Sequence, residues 1–153
     1  MNLCCDVISR LQGKTLATAE SLTGGGIGSA LTGVSGSSAV YKGGVISYTN
    51  DVKMEILGVP GEWIEKYGAV SPWVAMEMAS GVRGLLHTDV AVSVTGLAGP
   101  GGDEYGHPVG TVYIAYADKV RNGVHHYCFE GSREEVRAQA VEAALKLILL
   151  YQS

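Results

Sequence analysis

The sequence predicts a single-domain α/β protein, a three-layer α/β/α sandwich around a mixed sheet spanning residues 1–153. Three observations carry this prediction. Short apolar runs of strand length alternate with longer stretches whose apolar residues recur at helical spacing, the pattern of strand–helix–strand units. The 22 glycines cluster at 24–28, 43–44 and 96–110, beside strand-like runs and not as a linker. Near the end, two strand-like runs flank a turn containing Asn122-Gly123, so an antiparallel hairpin joins a sheet begun by crossover connections.

In chain order, Leu3, Val7, Ile8 and Leu11 share one helical face over residues 2–12, and Gly13 is the stop. Residues 15–19 form a buried strand. The stretch Ala19-Glu20-Ser21-Leu22-Thr23-Gly24-Gly25-Gly26 follows, then a helix marked by Ile27, Ala30, Leu31 and Val34. Residues 33–38 are a small, polar loop. A second strand covers 40–48, where Gly43-Gly44 marks a bulge or a close backbone approach. Asn50 is the expected N-cap of a short helix with Val52, Ile56 and Leu57 inward, closed by Gly58 and Pro60. Residues 62–67 add a helical turn, and Ser71-Pro72 opens a longer helix to about Leu86. Residues 89–94 are a third buried strand, ending at Thr95-Gly96 before a glycine-rich loop through Gly110. Strands at 111–117 and 124–129 form the hairpin. Ser132 and Glu135 make a capping box for a final helix with Val136, Val141, Leu145, Ile148 and Leu149 inward.

Composition excludes several classes of function. Apolar residues make up 46 % of the chain and charged residues 17 %, the balance of a compact globular domain. A formal net charge of −4, with no Lys/Arg cluster, argues against a nucleic-acid partner. No apolar run is long enough to span a bilayer, and the first residues lack the basic start and apolar core of a signal peptide. A cytoplasmic protein without a membrane partner is expected. Cys4, Cys5 and Cys128 are odd in number, lack metal-ligand spacing and read as reduced thiols, so neither a metal nor a cofactor is expected.

The candidate chemistry gathers where strands end, because open α/β sheets bind ligands beyond the carboxyl ends of their strands. Ser21 follows the first strand, Tyr48 the second and Thr95-Gly96 the third. Three readings fit the stretch around Ser21: a glycine turn for tight packing, an anion cradle at a helix N-terminus, or a serine nucleophile with backbone N–H groups for the oxyanion. It matches neither a P-loop, nor G-x-S-x-G, nor G-x-G-x-x-G. Lys53, one turn into its helix if Asn50 is the cap, is opposed by the helix dipole, which favours the neutral amine a serine base needs. The alternative is a solvated surface lysine. His87, His107, His125 and His126 lie away from predicted strand ends, and the pairs Asp103-Glu104 and Glu134-Glu135 fit a mobile loop and a helix start. Arg133 and Arg137, near the start of the last helix, are the best-placed cations for a phosphate.

The runs TLATAESLTGGGIGSALTGVSGSSAVYKGGVISYTNDVK, GAVS, VSVTGLAGPGG and PVGTVYIAYAD resemble the C-terminal domain family of CinA, the competence/damage-inducible protein, from about Leu11 to Leu150. Stand-alone members are nicotinamide-nucleotide amidohydrolases. The resemblance implies an α/β/α sandwich and hydrolysis of nicotinamide mononucleotide to nicotinate mononucleotide and ammonia, by a metal-free serine–lysine mechanism. On that basis the serine falls on Ser21, the tyrosine on Tyr48 and the lysine on Lys53. Thr23, Gly24 and Gly25 are expected around the oxyanion, and Ser38, Thr95, Gly96 and Arg137 on the ligand side. A homo-oligomer, dimer or trimer, acting on a small nucleotide is expected. Leu22 stands where the family has cysteine, a change of packing more than of chemistry. The pyrophosphatase activity linked to the N-terminal half of longer members is not expected. Some family members are poor amidases, so a silent nucleotide-binding module using the same glycine loops is the alternative.

Overall fold

The computed structural model describes residues 2–153. The elements, in order, are α1 (Leu3–Arg10), β1 (Leu16–Glu20), α2 (Gly26–Thr32), a 3-10 turn (Ser37–Ala39), β2 (Tyr41–Ile46), α3 (Asn50–Glu55), α4 (Gly61–Tyr67), α5 (Pro72–Leu86), β3 (Val90–Gly96), β4 (Thr111–Ala117), β5 (Asn122–Cys128) and α6 (Arg133–Tyr151). The sheet order is β2-β1-β3-β4-β5. The first three strands run parallel, and β4 and β5 are antiparallel additions at one edge. This is the expected mixed α/β sheet with its closing hairpin.

Side-chain alternation along the strands sorts the core into two unlike layers. Leu16, Val90, Val92, Val94, Val112, Ile114 and Tyr116 pack against α1, α2 and α6. The intervening positions are small: Ala17, Ala19 and Ala91 meet α4 and α5, while Ala115 and Ala117 meet Ala75 and Ala79 of α5. Small residues on both surfaces let α5 lie close to the sheet. Ser93 Oγ reaches the Ala75 carbonyl at 2.5 Å across that contact.

Several local expectations shift. The cap of α3 is Thr49, not Asn50, its hydroxyl accepting from the Val52 N–H at 3.5 Å. Within α3 the buried side chain is Lys53; of the expected apolar face Leu57 is buried, just past the helix, while Ile56 is 50 % exposed, so the short helix turns a cation inward beside Leu57. The hairpin turn falls at 118–121, where Asp118 Oδ1 accepts from the Val120 and Arg121 N–H groups at 2.8 and 2.7 Å. Asn122-Gly123 therefore belongs to β5, with Asn122 paired to Ala117. The glycine pair of β2 matches its expectation: the register with β1 slips beside Lys42. A Cβ on Gly44 would lie 2.8 Å from Thr18 O and Tyr41 Oη. The capping box Ser132–Glu135 is present.

Candidate active site

Ser21 continues the β1 ladder by one residue, its N–H donating to Val94 O at 3.0 Å, and the chain then turns through 22–25 before α2 begins. Ser21 is therefore separated from the helix by a turn. The α2 N-terminus is already occupied by the protein's own anion. Glu20, 2 % exposed, accepts through Oε1 from Ile27 N (2.8 Å) and Thr23 Oγ1 (2.7 Å), and through Oε2 from Gly28 N (3.1 Å). A carboxylate at this position satisfies free N–H groups and the dipole's positive end, the role an external phosphate would have. The glycine-loop cradle is thus filled from within.

Alternation places Ser21 on the same side of the sheet as Ala17 and Ala19, the side on which α3 lies. Lys53 Nζ comes in from α3 and sits 3.1 Å from Ser21 Oγ, 2.7 Å from Ser47 O and 3.5 Å from Tyr48 O. Lys53 is 1 % exposed, and this burial pushes its pKa down to about 8. Desolvation is the cause, since removing water penalises the ammonium and not the amine. The helix dipole is not needed, because Lys53 lies past the first turn of a six-residue helix.

These two side chains form the floor of a cavity of about 560 Å³, a size suited to a small nucleotide. Its walls include Tyr48, Val70, Thr95, Gly96, Tyr105 and Arg133. Thr95 is held by a 2.9 Å bond from Oγ1 to Ala69 O. Tyr48 is 60 % exposed and offers only its carbonyl to Lys53; its hydroxyl accepts from Arg133 Nη2 at 3.2 Å. The phenol thus faces the arginine side of the mouth. Arg133 Nη1 also donates to Gly99 O at 2.6 Å, tying the loop after β3 to the start of α6.

The sequence-based candidates therefore divide. Ser21, Tyr48, Lys53, Thr95 and Gly96 line one cavity. Thr23, Gly24 and Gly25 lie in the adjoining turn, outside that lining, with the Thr23 side chain directed at Glu20. Ser38 is an exposed residue of the 3-10 turn; its buried neighbour is Ser37. Arg137 does not line the cavity; it donates to Leu22 O and Thr23 O at 2.9 and 3.3 Å. Arg133, four residues earlier, is the arginine that faces the cavity.

Sequence reasoning missed the Asp103-Glu104 pair as part of the site: both line the cavity, Asp103 partly buried and Glu104 exposed. Asp103 Oδ1 accepts from the Tyr105 and His107 N–H groups at 3.2 and 3.0 Å, and Oδ2 meets His107 Nδ1 at 2.7 Å. Burial opposes its ionisation, but these contacts hold its pKa below the usual range. An Asp followed two and four residues later by its own backbone partners is a turn signal that could have marked this loop as ordered. Glu20 was missed for another reason. Its helix starts six residues later, outside the window in which capping residues are sought.

Among the described residues no group of three or more His, Cys, Asp or Glu side chains could hold a metal ion. No helix among the described residues is long and apolar enough to cross a membrane.

Comparison with known proteins gives a consistent answer. Residues 3–151 match the family model described as the CinA C-terminal domain. A CinA-like protein of Rippkaea orientalis is 48 % identical over 141 residues, covering 90 % of this chain and 34 % of the relative. One from Sulfurihydrogenibium sp. is 48 % identical over 138 residues, covering 90 % and 34 %. The chain thus spans about a third of the length of the curated relatives it matches. Among solved structures, a competence-damaged protein (CinA) superfamily protein from Escherichia coli superposes with a TM-score of 0.96 at 39 % identity, covering 98 % of this chain and 88 % of that one. A competence/damage inducible protein, CihA, from Agrobacterium tumefaciens gives 0.95 at 38 % identity, covering 99 % and 94 %.

Proposed function

This chain belongs to the CinA C-terminal domain family, and from that premise and the cavity we propose that it is an amidohydrolase converting nicotinamide mononucleotide to nicotinate mononucleotide and ammonia, in pyridine nucleotide recycling. The observation that carries the proposal is the buried 3.1 Å contact between Ser21 Oγ and a lysine whose pKa is pushed down to about 8. A general base works best when its pKa lies near the working pH. Lys53, neutral, takes the Ser21 proton as Oγ attacks the carboxamide carbon. Backbone N–H groups of the turn after Ser21 receive the developing oxyanion. The resulting ammonium of Lys53 returns the proton to the leaving nitrogen, ammonia departs, and an ester to Ser21 remains. Water, deprotonated by the same amine, opens the ester and regenerates the hydroxyl. Arg133 takes the phosphate at the cavity mouth, with Tyr48 beside it. A silent binding module built on the glycine loop is less favoured, because Glu20 already fills the α2 N-terminus.

Ammonia release from nicotinamide mononucleotide is the direct test. The wild-type chain turns the substrate over, and Ser21→Ala, which keeps the fold, loses turnover by about 10³-fold or more. Wild-type turnover by Ser21→Ala overturns the covalent mechanism.

A further inference from the structure

The turn that carries Ser21 is held from two sides by charged side chains that the reaction itself does not use. From the sheet side, Glu20 fixes the Thr23 hydroxyl and the first N–H groups of α2. From α6, Arg137 donates through Nε to Leu22 O at 2.9 Å and through Nη2 to Thr23 O at 3.3 Å. Among the described residues Arg137 forms no ion pair. A guanidinium aimed at two successive carbonyls is suited to fixing a backbone, since its planar fork sets two directions at once.

The consequence follows from peptide geometry. A trans peptide is planar, so the carbonyl of one residue and the N–H of the next point in opposite directions. Drawing Leu22 C=O toward Arg137 turns the Thr23 N–H away from Arg137. That N–H meets no acceptor among the described residues. The next one, Gly24 N–H, closes onto Ser21 O at 3.1 Å. Among the described residues the N–H groups of Leu22, Thr23 and Gly25 are the open donors of the turn, and that of Thr23 belongs to the peptide whose carbonyl Arg137 holds, the one that follows Leu22, a cavity-lining residue.

We infer that Arg137 is a positioning residue for the serine chemistry: it sets the plane of the Leu22–Thr23 peptide so that the Thr23 N–H meets the oxyanion formed at the carbon Ser21 attacks. Arg137 then acts through the backbone and leaves the substrate's phosphate to Arg133. The inference rests on Ser21 being the nucleophile of the proposed reaction.

The test compares wild type, Arg137→Ala and Arg137→Lys on nicotinamide mononucleotide and on nicotinamide riboside, which lacks the phosphate. Arg137→Ala is expected to lower kcat about 10²-fold on both substrates, the loss typical of one missing oxyanion donor, with KM and the pH midpoint unchanged. Arg137→Lys, whose ammonium meets one carbonyl but not both, recovers part of kcat, and added guanidinium ion restores part of it to Arg137→Ala. A KM rise confined to the mononucleotide overturns the inference, and so does an unchanged kcat. A second readout needs no nicotinamide substrate. With an alkyl fluorophosphonate, Ser21 Oγ bonds to phosphorus, fluoride leaves and the proton passes to Lys53. The labelling rate, read by mass at Ser21, is expected to fall in Arg137→Ala as kcat does. Labelling of wild type without ammonia release from either amide overturns the substrate assignment alone, and the labelling ratio still decides the role of Arg137. Equal labelling of wild type and Arg137→Ala overturns that role alone.

Discussion

Lys53 brings its amine to a point with three oxygen neighbours and almost no water. Burial disfavours the charged form, so its pKa falls from about 10.5 to about 8. The proposed base is competent only when neutral, and the sign of the expected pH dependence follows. About a tenth of the lysine is neutral at pH 7 and about nine-tenths at pH 9, so kcat/KM on the mononucleotide is expected to rise about tenfold over that interval. The rate plotted against pH is expected to have its midpoint near 8, far below that of a free lysine. Lys53→Arg keeps the charge and cannot deprotonate, and its turnover is expected to be as low as that of Lys53→Ala. An active Lys53→Arg, or a rate flat from pH 7 to 9, places the base elsewhere. The residue was legible in the sequence, but for a reason that does not hold. With Thr49 as the cap, the dipole argument loses its force. What lowers the pKa is burial, which depends on where β1 and the chain after β2 place their ends and is not written in the six residues of α3.

At the scale of elements, α5 shows how tertiary contact reverses local propensity. It carries two glycines, Gly81 and Gly84, and a helix position normally gains roughly 1 kcal/mol when Gly becomes Ala. Gly84 has open space where a Cβ would go, and Gly84→Ala is expected to stabilise by up to that amount. Gly81 faces the end of the chain that follows α3: its Cβ would run into Leu57 O and lie 3.0 Å from the Leu57 carbonyl carbon. Backbone cannot step aside cheaply, so Gly81→Ala is expected to destabilise by about 1–3 kcal/mol. Urea unfolding of the two variants checks both signs, and two shifts in the same direction refute the packing argument. The pattern alone treats the glycines alike. The alternation of buried and polar residues drew α5, β3 and α6 near their true limits, whereas the hairpin turn was misplaced because Asp118 caps the turn and an Asn-Gly pair, the stronger signal on paper, sits in the strand.

At the scale of the whole molecule, the cavity is assembled from segments far apart in sequence, and this decides which of its residues a sequence reveals. Those at strand ends, Ser21 and Thr95, were legible because a parallel sheet delivers them to one edge. The residues alone leave Arg133 and Arg137 level, both in the first turns of α6, and the resemblance puts the ligand-side arginine on Arg137, whereas the arginine that lines the cavity is Arg133. Arg133 joins Gly99 of the loop after β3 to the Tyr48 hydroxyl beyond β2, at 2.6 and 3.2 Å. Both contacts are to neutral groups, and among the described residues no carboxylate pairs with the guanidinium, which leaves it available to a ligand anion. A charge-assisted hydrogen bond contributes about 1.5–3 kcal/mol, or roughly 10- to 100-fold in affinity. Arg133→Ala is therefore expected to raise KM for nicotinamide mononucleotide by that factor, with KM for nicotinamide riboside nearly unchanged. Steady-state ammonia release on the two substrates, at one pH and ionic strength, makes the comparison. A similar rise on both would mean that Arg133 serves the cavity wall by bridging Gly99 and Tyr48, and that the phosphate is held by another group.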